Sequence, residues 1–384
     1  MVHDNLLAPD VRDDPHTYFH ALRAEDPVHW NANHRAWVLT RYDDVLAGFR
    51  DGRLSADRLN PKLPPVVANN LNRWMVFVDE PDHTRLRRLV GTAFSTLSVR
   101  SLRPRVESIV DSLLDDVEGS VDWFSSVAEP LPAIVIAELL GVPPSDRAQF
   151  LSWSADIAHV VFGAVYRPDR YERAAAGIGE FDAYFRRMIE EGDGGSGLVR
   201  SLASALDRDE RLTTDEVIAT CTLLLFAGHE TTTSLLTTGL LALLEWPDEM
   251  ERLRAEPSLA GAAVEELMRY TGPTGMMVRR VREDVEMRDK TMRAGEHVFL
   301  GVAAANHDPA RFADPDRLDI TRADKSHLGF GIHHCLGAPL ARLEVEVTLT
   351  RLLERCRDIR LGEQPAWSSS VMGRSLQRLI VDVA

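Results

Sequence analysis

The chain has few cysteines, no long apolar run and no excess of basic charge. Its three cysteines, Cys221, Cys335 and Cys356, form neither a CxxC pair nor a disulfide framework, which indicates a reducing compartment. The N-terminus, MVHDNLLAPDVRDD, lacks the apolar core of a signal peptide. No stretch approaches the roughly 20 apolar residues that span a bilayer, and a net charge of −15 argues against a general nucleic-acid binder. We therefore expect a cytoplasmic protein that binds neither nucleic acid nor membrane.

What the chain does contain is ordinary for a globular protein, with 45% hydrophobic and 27% charged residues among 384. It shows no internal repeat and no clear linker, so we expect one domain over residues 1–384. Apolar spacing predicts many amphipathic helices and a hairpin that pairs Val28–Trp30 with Ala36–Leu39. The region 52–79 is rich in proline and asparagine and is predicted to be mostly loop. The predicted helices are Pro15–Asp26, Asp43–Arg50 with Asp43 as its cap, one opening after Asp79, Ser98–Val117, Ala133–Leu140, Gln149–Phe162, Arg170–Glu191 and Ala262–Tyr270.

One cysteine follows a glycine-punctuated loop and precedes a predicted helix. Gly329 and Gly331 come before Cys335, and glycine lets a backbone turn tightly and approach a flat ligand closely. The helix begins at about Leu336–Pro339, because proline fits a first helical turn. Backbone N–H groups and the helix dipole at this position favour a thiolate. A lone cysteine is more often a small buried residue, but in this setting it suits a single axial ligand to a metal whose other ligands come from a cofactor.

A very long helix is predicted in the second half of the chain. Thr213 and Glu216 match a capping box, and the helical pattern runs to about Glu245, before Trp246-Pro247. Such a helix is long enough to cross the molecule. One stripe of this helix consists of Leu223, Ala227, Thr231 and Leu235.

The middle of that helix reads Ala227-Gly228-His229-Glu230-Thr231. A glycine inside a helix costs about 1 kcal/mol relative to alanine, and a buried carboxylate costs more unless it is paired. Several disfavoured residues next to one another indicate a functional site.

Two further pairs of residues are spaced so that they share a helix face. His83 and Arg87 are four apart, and Glu266 and Arg269 are three apart. Either pair could lie on a solvated surface, where it would contribute only a few tenths of a kcal/mol. Arginine is also suited to bind carboxylate groups through two hydrogen bonds.

The four motifs occur along the chain in the order HxxxR, AGxET, ExxR and a cysteine loop. Together they closely resemble the motifs of the cytochrome P450 family. The resemblance extends from about residue 15 to the C-terminus. One departure concerns the loop, because the family usually has phenylalanine seven residues before the cysteine, where this chain has Leu328. Phe330 lies five before it. Either the loop is substituted or it is two residues shorter, and we prefer substitution because Gly331, His333 and Gly337 keep their expected offsets.

The resemblance implies the family's triangular-prism fold, mainly α with small β-sheets. It implies haem b, iron protoporphyrin IX, between the long helix and the loop of Cys335, which would bind the iron. The matching positions also imply the remaining roles. The expected cofactor-binding residues are His83, Arg87, Ala227, Gly228, Arg279 in preference to Arg280, Phe330, His333 and Gly337. The expected catalytic pair is Glu230 and Thr231, and the expected structural lock is Glu266, Arg269 and Arg317.

The resemblance further implies a monooxygenase that activates O2 to hydroxylate or epoxidise a small organic substrate, with a natural-product intermediate as the default. The alternatives are oxidative cyclisation or coupling without oxygen insertion, and a non-enzymatic haem sensor. We expect a monomer that receives electrons from a separate ferredoxin and ferredoxin reductase, which would dock on arginines at 85–88, 100, 103 and 342. The expected substrate-lining residues are Trp74, Met75, Val76, Met276, Met277, Val278, Val371 and Met372.

Overall fold

Helices dominate the computed structural model, which describes residues 2–57, 63–91, 93–161, 168–191, 197–206, 212–328, 335–370 and 372–384. This confirms the predicted class, mainly α with small sheets. The helices are α1 Pro9–Asp13, α2 Pro15–Glu25, α3 Tyr42–Arg50, α4 Pro65–Leu71, α5 Asp82–Gly91, α6 Thr96–Ser101, α7 Arg103–Leu114, α8 Pro130–Leu140, α9 Arg147–Val161, α10 Arg170–Glu191, α11 Leu198–Leu206, α12 Thr214–Glu245, α13 Pro247–Ala255, α14 Ala260–Thr271, α15 Val302–Asn306 and α16 Ala338–Arg355.

The strands form four small sheets in the described part of the chain. The largest has the order β1-β2-β8-β5-β3, in which β2 and β8 are parallel and the other neighbours antiparallel. A three-stranded sheet has the order β4-β12-β9, and β6-β7 and β10-β11 are two-stranded. The strands are β1 Val28–Asn31, β2 Ala36–Leu39, β3 Leu54–Ser55, β4 Gly119–Asp122, β5 Met277–Val281, β6 Val285–Met287, β7 Lys290–Met292, β8 His297–Leu300, β9 Ile359–Leu361, β10 Trp367–Ser370, β11 Gly373–Leu376 and β12 Ile380–Val383.

The long helix α12 is the centre of the main hydrophobic core. It begins with the predicted capping box, in which the Thr213 side chain accepts from the Glu216 N–H and the Glu216 carboxylate accepts from the Thr213 N–H. It ends where Pro247 cannot continue it. Helices α8, α10, α14 and α16 pack around it. Its buried residues lie on all sides, which is typical of a helix inside a large core.

Three local predictions were wrong in detail. Asp43 lies in the first turn of α3 and is not its cap, which is Arg41. The predicted loop 52–79 contains α4, because Pro65 is well placed at a first helical position. The single helix predicted over Ser98–Val117 is two helices, α6 and α7, and a proline in the first turn of α7 starts the second one. The hairpin of β1 and β2 is confirmed.

Candidate active site

A cavity of about 380 Å³ lies between α12, the start of α16, α5 and the segment that joins α14 to β5. The predicted stripe of α12 faces it, since Leu223, Ala227, Thr231 and Leu235 all line its wall. Most of the other lining side chains are apolar. The same cavity is lined by Cys335, so the cysteine and the centre of the long helix face one space.

Cys335 lies three residues before α16, which begins at Ala338 and not at the predicted Leu336, and its electrostatic environment also differs from the expectation. Burial raises the pKa of its thiol, although hydrogen bonds from the Gly337 and Ala338 N–H groups and the positive charges of Arg87 and Arg342 act in the other direction. The helix N-terminus alone therefore does not hold a free thiolate here. A metal ion would, because a coordinating thiol loses its proton.

Of the three predicted cationic or hydrogen-bonding residues that the structure describes, two line the cavity and the third, Arg279, does not. His83 and Arg87, on one face of α5, both line the cavity. Arg279 on β5 is 3% exposed, and burial lowers the pKa of its guanidinium to about 10. The negative charge of Asp79 acts on Arg279 from a distance. The Asp79 carboxylate itself is bonded to Arg282, at 2.7 Å. Arg280 is exposed, in agreement with the preference for Arg279.

The centre of α12 keeps an acid next to an alcohol. The Thr231 hydroxyl donates to the Ala227 carbonyl at 2.9 Å and lines the cavity. Burial, with a smaller contribution from the negative charge of Glu129, raises the pKa of Glu230 to about 7. The Glu230 carboxyl is thus poised to hold or release a proton near neutral pH.

His229 and Gly228 both lie where α12 packs against neighbouring helices. His229 is buried on the side of α12 that faces α8 and α9, and burial lowers its pKa to about 4, so it is a neutral side chain. A Cβ on Gly228 would come within 3.0 Å of the Ile136 side chain on α8. The glycine therefore allows α8 to pack closely on α12 while its backbone lines the cavity.

The structural lock forms, but with a different third residue. Arg269 bonds Glu266 through two hydrogen bonds of 2.9 and 2.8 Å, and both side chains are at most 3% exposed. Arg322, and not the predicted Arg317, adds a second guanidinium, with its Nε 3.1 Å from each Glu266 oxygen. The Arg317 side chain is exposed and only its carbonyl accepts from the lock. The prediction was wrong because the irregular chain between Phe312 and Arg322 has no periodicity that fixes which arginine turns inward.

A second carboxylate beside the lock was missed by the sequence reasoning. Glu265 bonds His327 at 3.1 Å, just before the cysteine loop, and the Arg342 guanidinium, just after it. Burial raises the pKa of Glu265, but the bonds from His327 and Arg342 outweigh it and bring the pKa to about 2. The sequence signal for this residue was its position directly before Glu266 of the ExxR motif. A carboxylate there can hold both ends of the cysteine loop.

The expected basic docking patch is largely neutralised by local acids. Arg342 is bonded to Glu265, Arg103 to Glu346 at 2.7 Å, and Arg85 to Glu216 at 2.5 Å. Arg88 and Arg100 are the exposed members of the set. The patch is thus smaller than the count of arginines in the sequence indicated.

Most of the predicted substrate-lining residues lie on the cavity wall. Those that line it are Trp74, Met75, Val76, Met276, Met277 and Met372. Val278 is not on the wall and packs instead against the core cluster of β2 and β8. Val371, Phe330 and His333 lie outside the described residues. Leu328 is 8% exposed, and its N–H donates to the Asn306 side chain at 2.7 Å.

The sequence reasoning also missed a wall built by the N-terminal segment. Leu6, Val11, His16 and Phe19 line the cavity from α1, α2 and the residues before them. Only the tertiary fold brings them there, and no local motif marks them. Ile136 of α8 lines the opposite side and was likewise not predicted.

Comparison with known proteins agrees with this geometry. The family model "Cytochrome P450" matches residues 194–366. The cytochrome P450 monooxygenase PikC of Streptomyces venezuelae is 40% identical over 97% of this chain and 92% of the relative. The mycinamicin IV hydroxylase/epoxidase of Micromonospora griseorubida is 39% identical over 88% of this chain and 87% of the relative.

Solved structures are equally similar. P450BioI, in complex with an acyl carrier protein that carries hexadec-9Z-enoic acid, matches with a TM-score of 0.92 and 33% identity over 98% of this chain and 99% of that chain. The Bacillus subtilis cytochrome P450 PksS matches with a TM-score of 0.90 and 35% identity over the whole of both chains.

Fold and site together define an oxidoreductase whose cofactor is held through a cysteine thiolate. The chain belongs to the cytochrome P450 family, whose members carry haem bound in this way. The protein is accordingly a monooxygenase of that family. None of the helices in the described part of the chain combines the length and hydropathy of a membrane span.

The residues around the cavity fit a haem. A single thiol, Cys335, faces the cavity, which suits one axial ligand. Arg279 is a buried guanidinium that forms no ion pair with a carboxylate among the described residues. It donates to the Val278 carbonyl at 3.0 Å and lies over the Phe49 ring. A buried cation of this kind needs an anionic partner, and a haem propionate would supply one.

Proposed function

We propose that the protein binds haem b through Cys335 and oxidises a small, mainly apolar natural-product intermediate. The observation that carries this proposal is that Cys335 and Thr231 line the same cavity. His83, Arg87 and Arg279 would hold the propionates, together with His333. When bound, the haem supplies the one-electron and O2 chemistry that protein side chains lack.

The chain's own catalytic contribution is to position and supply protons. The Glu230 carboxyl, with a pKa of about 7, holds a proton at the pH of the cell interior and can pass it on. Thr231, one residue later, lines the cavity, and its hydroxyl, which donates to the Ala227 carbonyl, can also hydrogen-bond O2 or an ordered water.

The apolar lining favours an apolar substrate of moderate size. The relative PksS is named for polyketide biosynthesis and another relative is named a mycinamicin IV hydroxylase/epoxidase, and these names support a polyketide-like natural product. Electrons would come from a separate ferredoxin and its reductase. Arg88 and Arg100 are the exposed cations that an acidic ferredoxin would meet first.

Oxidative coupling or ring closure is the second candidate. One structural neighbour, at 34% identity and a TM-score of 0.87, is described as a putative thioether synthase. The intact pair of Glu230 and Thr231 favours oxygen insertion. Labelled O2 distinguishes the two reactions, because only oxygen insertion places the label in the product.

The test combines labelled O2 with Thr231→Ala. We expect label in the wild-type product, and in the variant a fall in product formation of roughly 10²-fold while electron consumption continues. Thr222→Ala is the matched control, because Thr222 lies on the same helix and makes the same bond, to Ile218 at 2.9 Å, but does not line the cavity. Unchanged coupling of electrons to product in Thr231→Ala would remove its assigned role.

A further inference from the structure

A cluster of three histidines and one aspartate lies where α2 meets the chain that follows α15. His16 and His20 are one turn apart on α2, His307 follows α15, and Asp316 lies in the irregular segment beyond it. Ligand atoms of His16, His307 and Asp316 all lie within 4.8 Å of one another. Neither the haem site nor the proton-supplying pair uses these groups.

The hydrogen bonds of His20 fix its protonation. The Arg23 guanidinium, which can only donate, is 2.7 Å from His20 Nδ1. His20 Nδ1 therefore accepts, and the ring proton is on Nε2. That N–H donates to Asp316 Oδ2 at 2.8 Å, so this contact pairs a donor with an acceptor.

At His307, the hydrogen bonds leave the ring nitrogen that faces Asp316 without a proton. Its Nε2 is 2.9 Å from the Tyr270 carbonyl, which can only accept, so the ring proton is on Nε2. His307 Nδ1 then presents a lone pair to Asp316 Oδ1 at 2.8 Å, and two acceptors face each other. Only a positive species between them makes this contact favourable.

We propose that this position is a binding site for a divalent transition-metal cation of the zinc class, held by His16, His307 Nδ1 and Asp316 Oδ1. Two imidazoles and a carboxylate are a ligand set that zinc accepts, with water as the fourth ligand. The Asp316 side chain is 51% exposed, which leaves that fourth position open to solvent. The His16 ring lies over the His307 ring, with centroids 3.9 Å apart.

The groups around the ligands already have the arrangement that metal sites require. Ligating histidines donate their second ring N–H to a carbonyl or carboxylate, and ligating carboxylates are themselves hydrogen-bonded. His307 donates Nε2–H to the Tyr270 carbonyl, and Asp316 accepts at its second oxygen from His20. Arg269, whose positive charge acts on His307, is paired with Glu266 through two hydrogen bonds, and Arg23 is bonded to His20.

A metal at this position would join two parts of the molecule that serve the active site. His16 lines the substrate cavity, and Tyr270 and Asp316 flank residues of the lock, since Arg269 bonds the Pro315 carbonyl at 2.8 Å. Binding should therefore fix the N-terminal wall of the cavity to the lock. We expect the thermal unfolding midpoint to rise when zinc is added, because the ion binds only the folded arrangement.

The test measures zinc directly on the haem-loaded protein, purified without a polyhistidine tag. Haem loading keeps Cys335 occupied, so the thiol does not compete for the metal. After dialysis against zinc, we expect about one zinc per haem in the wild type. His16→Ala and Asp316→Asn should bind zinc at least roughly tenfold more weakly, and His20→Ala roughly 10- to 100-fold more weakly through the lost outer hydrogen bond.

His3→Ala is the matched control, because His3 forms a histidine–aspartate pair with Asp10 at 2.9 Å but belongs to no group of three potential ligands within the part of the chain that the structure describes. It should bind zinc as the wild type does. The haem absorption spectrum shows that each variant is folded, and anomalous scattering at the zinc edge in crystals locates the ion. No zinc in the wild type, or zinc that persists in both His16→Ala and Asp316→Asn, would overturn the proposal.

Discussion

The carboxylates of α14 and the carboxylate in the middle of α12 have opposite environments. Behind the cysteine, Glu266 is bound by two guanidiniums and Glu265 by a guanidinium and an imidazole. On α12, Glu230 has no arginine or lysine within ion-pairing distance among the described residues, and the His229 imidazole 3.9 Å away is neutral. The pKa is about 2 for Glu265 and about 7 for Glu230.

The paired carboxylates contribute to stability, and the unpaired one is suited to supply protons. Paired carboxylates behind the cysteine hold α14 and the ends of the cysteine loop in one arrangement, which a ligand to a metal requires. An unpaired carboxyl on α12 costs stability but keeps a proton available near neutral pH. Variants of Glu230, Glu265 and Arg322 test whether the carboxylates of α12 and α14 differ in this way.

The largest effect is expected from Arg322→Ala, which removes one of the two guanidiniums from Glu266. The Arg322 side chain is only 10% exposed, and its loss leaves the buried Glu266 carboxylate with one guanidinium, that of Arg269, and the Asp319 N–H. We expect the free energy of unfolding to fall by about 3 kcal/mol, measured by urea denaturation. Arg317→Ala, on an exposed side chain, should change it by no more than about 0.5 kcal/mol. Equal losses in both variants would contradict the corrected lock.

Glu230→Gln tests the carboxylate of α12 through pH. The pKa of Glu230 is raised from 4.5 to about 7, so between these values the folded protein keeps a proton that the unfolded chain has lost. Wild-type stability should therefore fall as pH rises through this window, by about 1.4 kcal/mol per pH unit from this group. The variant cannot ionise and should lack this component. Identical slopes in urea unfolding between pH 5 and 7 would show that Glu230 does not carry the shift.

Glu265→Gln should give the opposite pH dependence and a smaller effect. The pKa of Glu265 is lowered to about 2, so its stabilising contribution is complete above 4.5 and is lost as the pH falls towards 2. We expect the variant to be about 2 kcal/mol less stable than the wild type at neutral pH. The two proteins should converge in acid. A difference that stays constant down to about pH 2 would mean that Glu265 acts through packing alone.

Local signals in the sequence predicted the parts of the site that depend on spacing along one helix. The capping box at Thr213, the stripe from Leu223 to Leu235 and the face shared by His83 and Arg87 each involve residues three or four apart. Helical geometry brings such residues together whatever the rest of the fold does. The bidentate pair of Glu266 and Arg269 belongs to the same group.

Other parts of the site depend on long-range folding and could not be predicted. Arg322 and Arg317 are equivalent by composition, and only the path of an irregular segment decides which one reaches Glu266. His16 reaches the cavity from the far end of the chain. The thiol of Cys335 was expected to ionise at a helix N-terminus, but burial reverses the shift of its pKa, and burial is known only once the cavity is formed.

The measurement that tests the account most directly is the absorption spectrum of the reduced CO complex of Cys335→Ser. Thiolate ligation gives this complex a red-shifted Soret band, and Cys335 is the thiol that faces the cavity. Cys221 and Cys356 are buried elsewhere, and serine at either position should leave the band unchanged. We predict that Cys335→Ser alone abolishes the red-shifted band. A band that persists in this variant would contradict the assignment of Cys335 as the axial ligand.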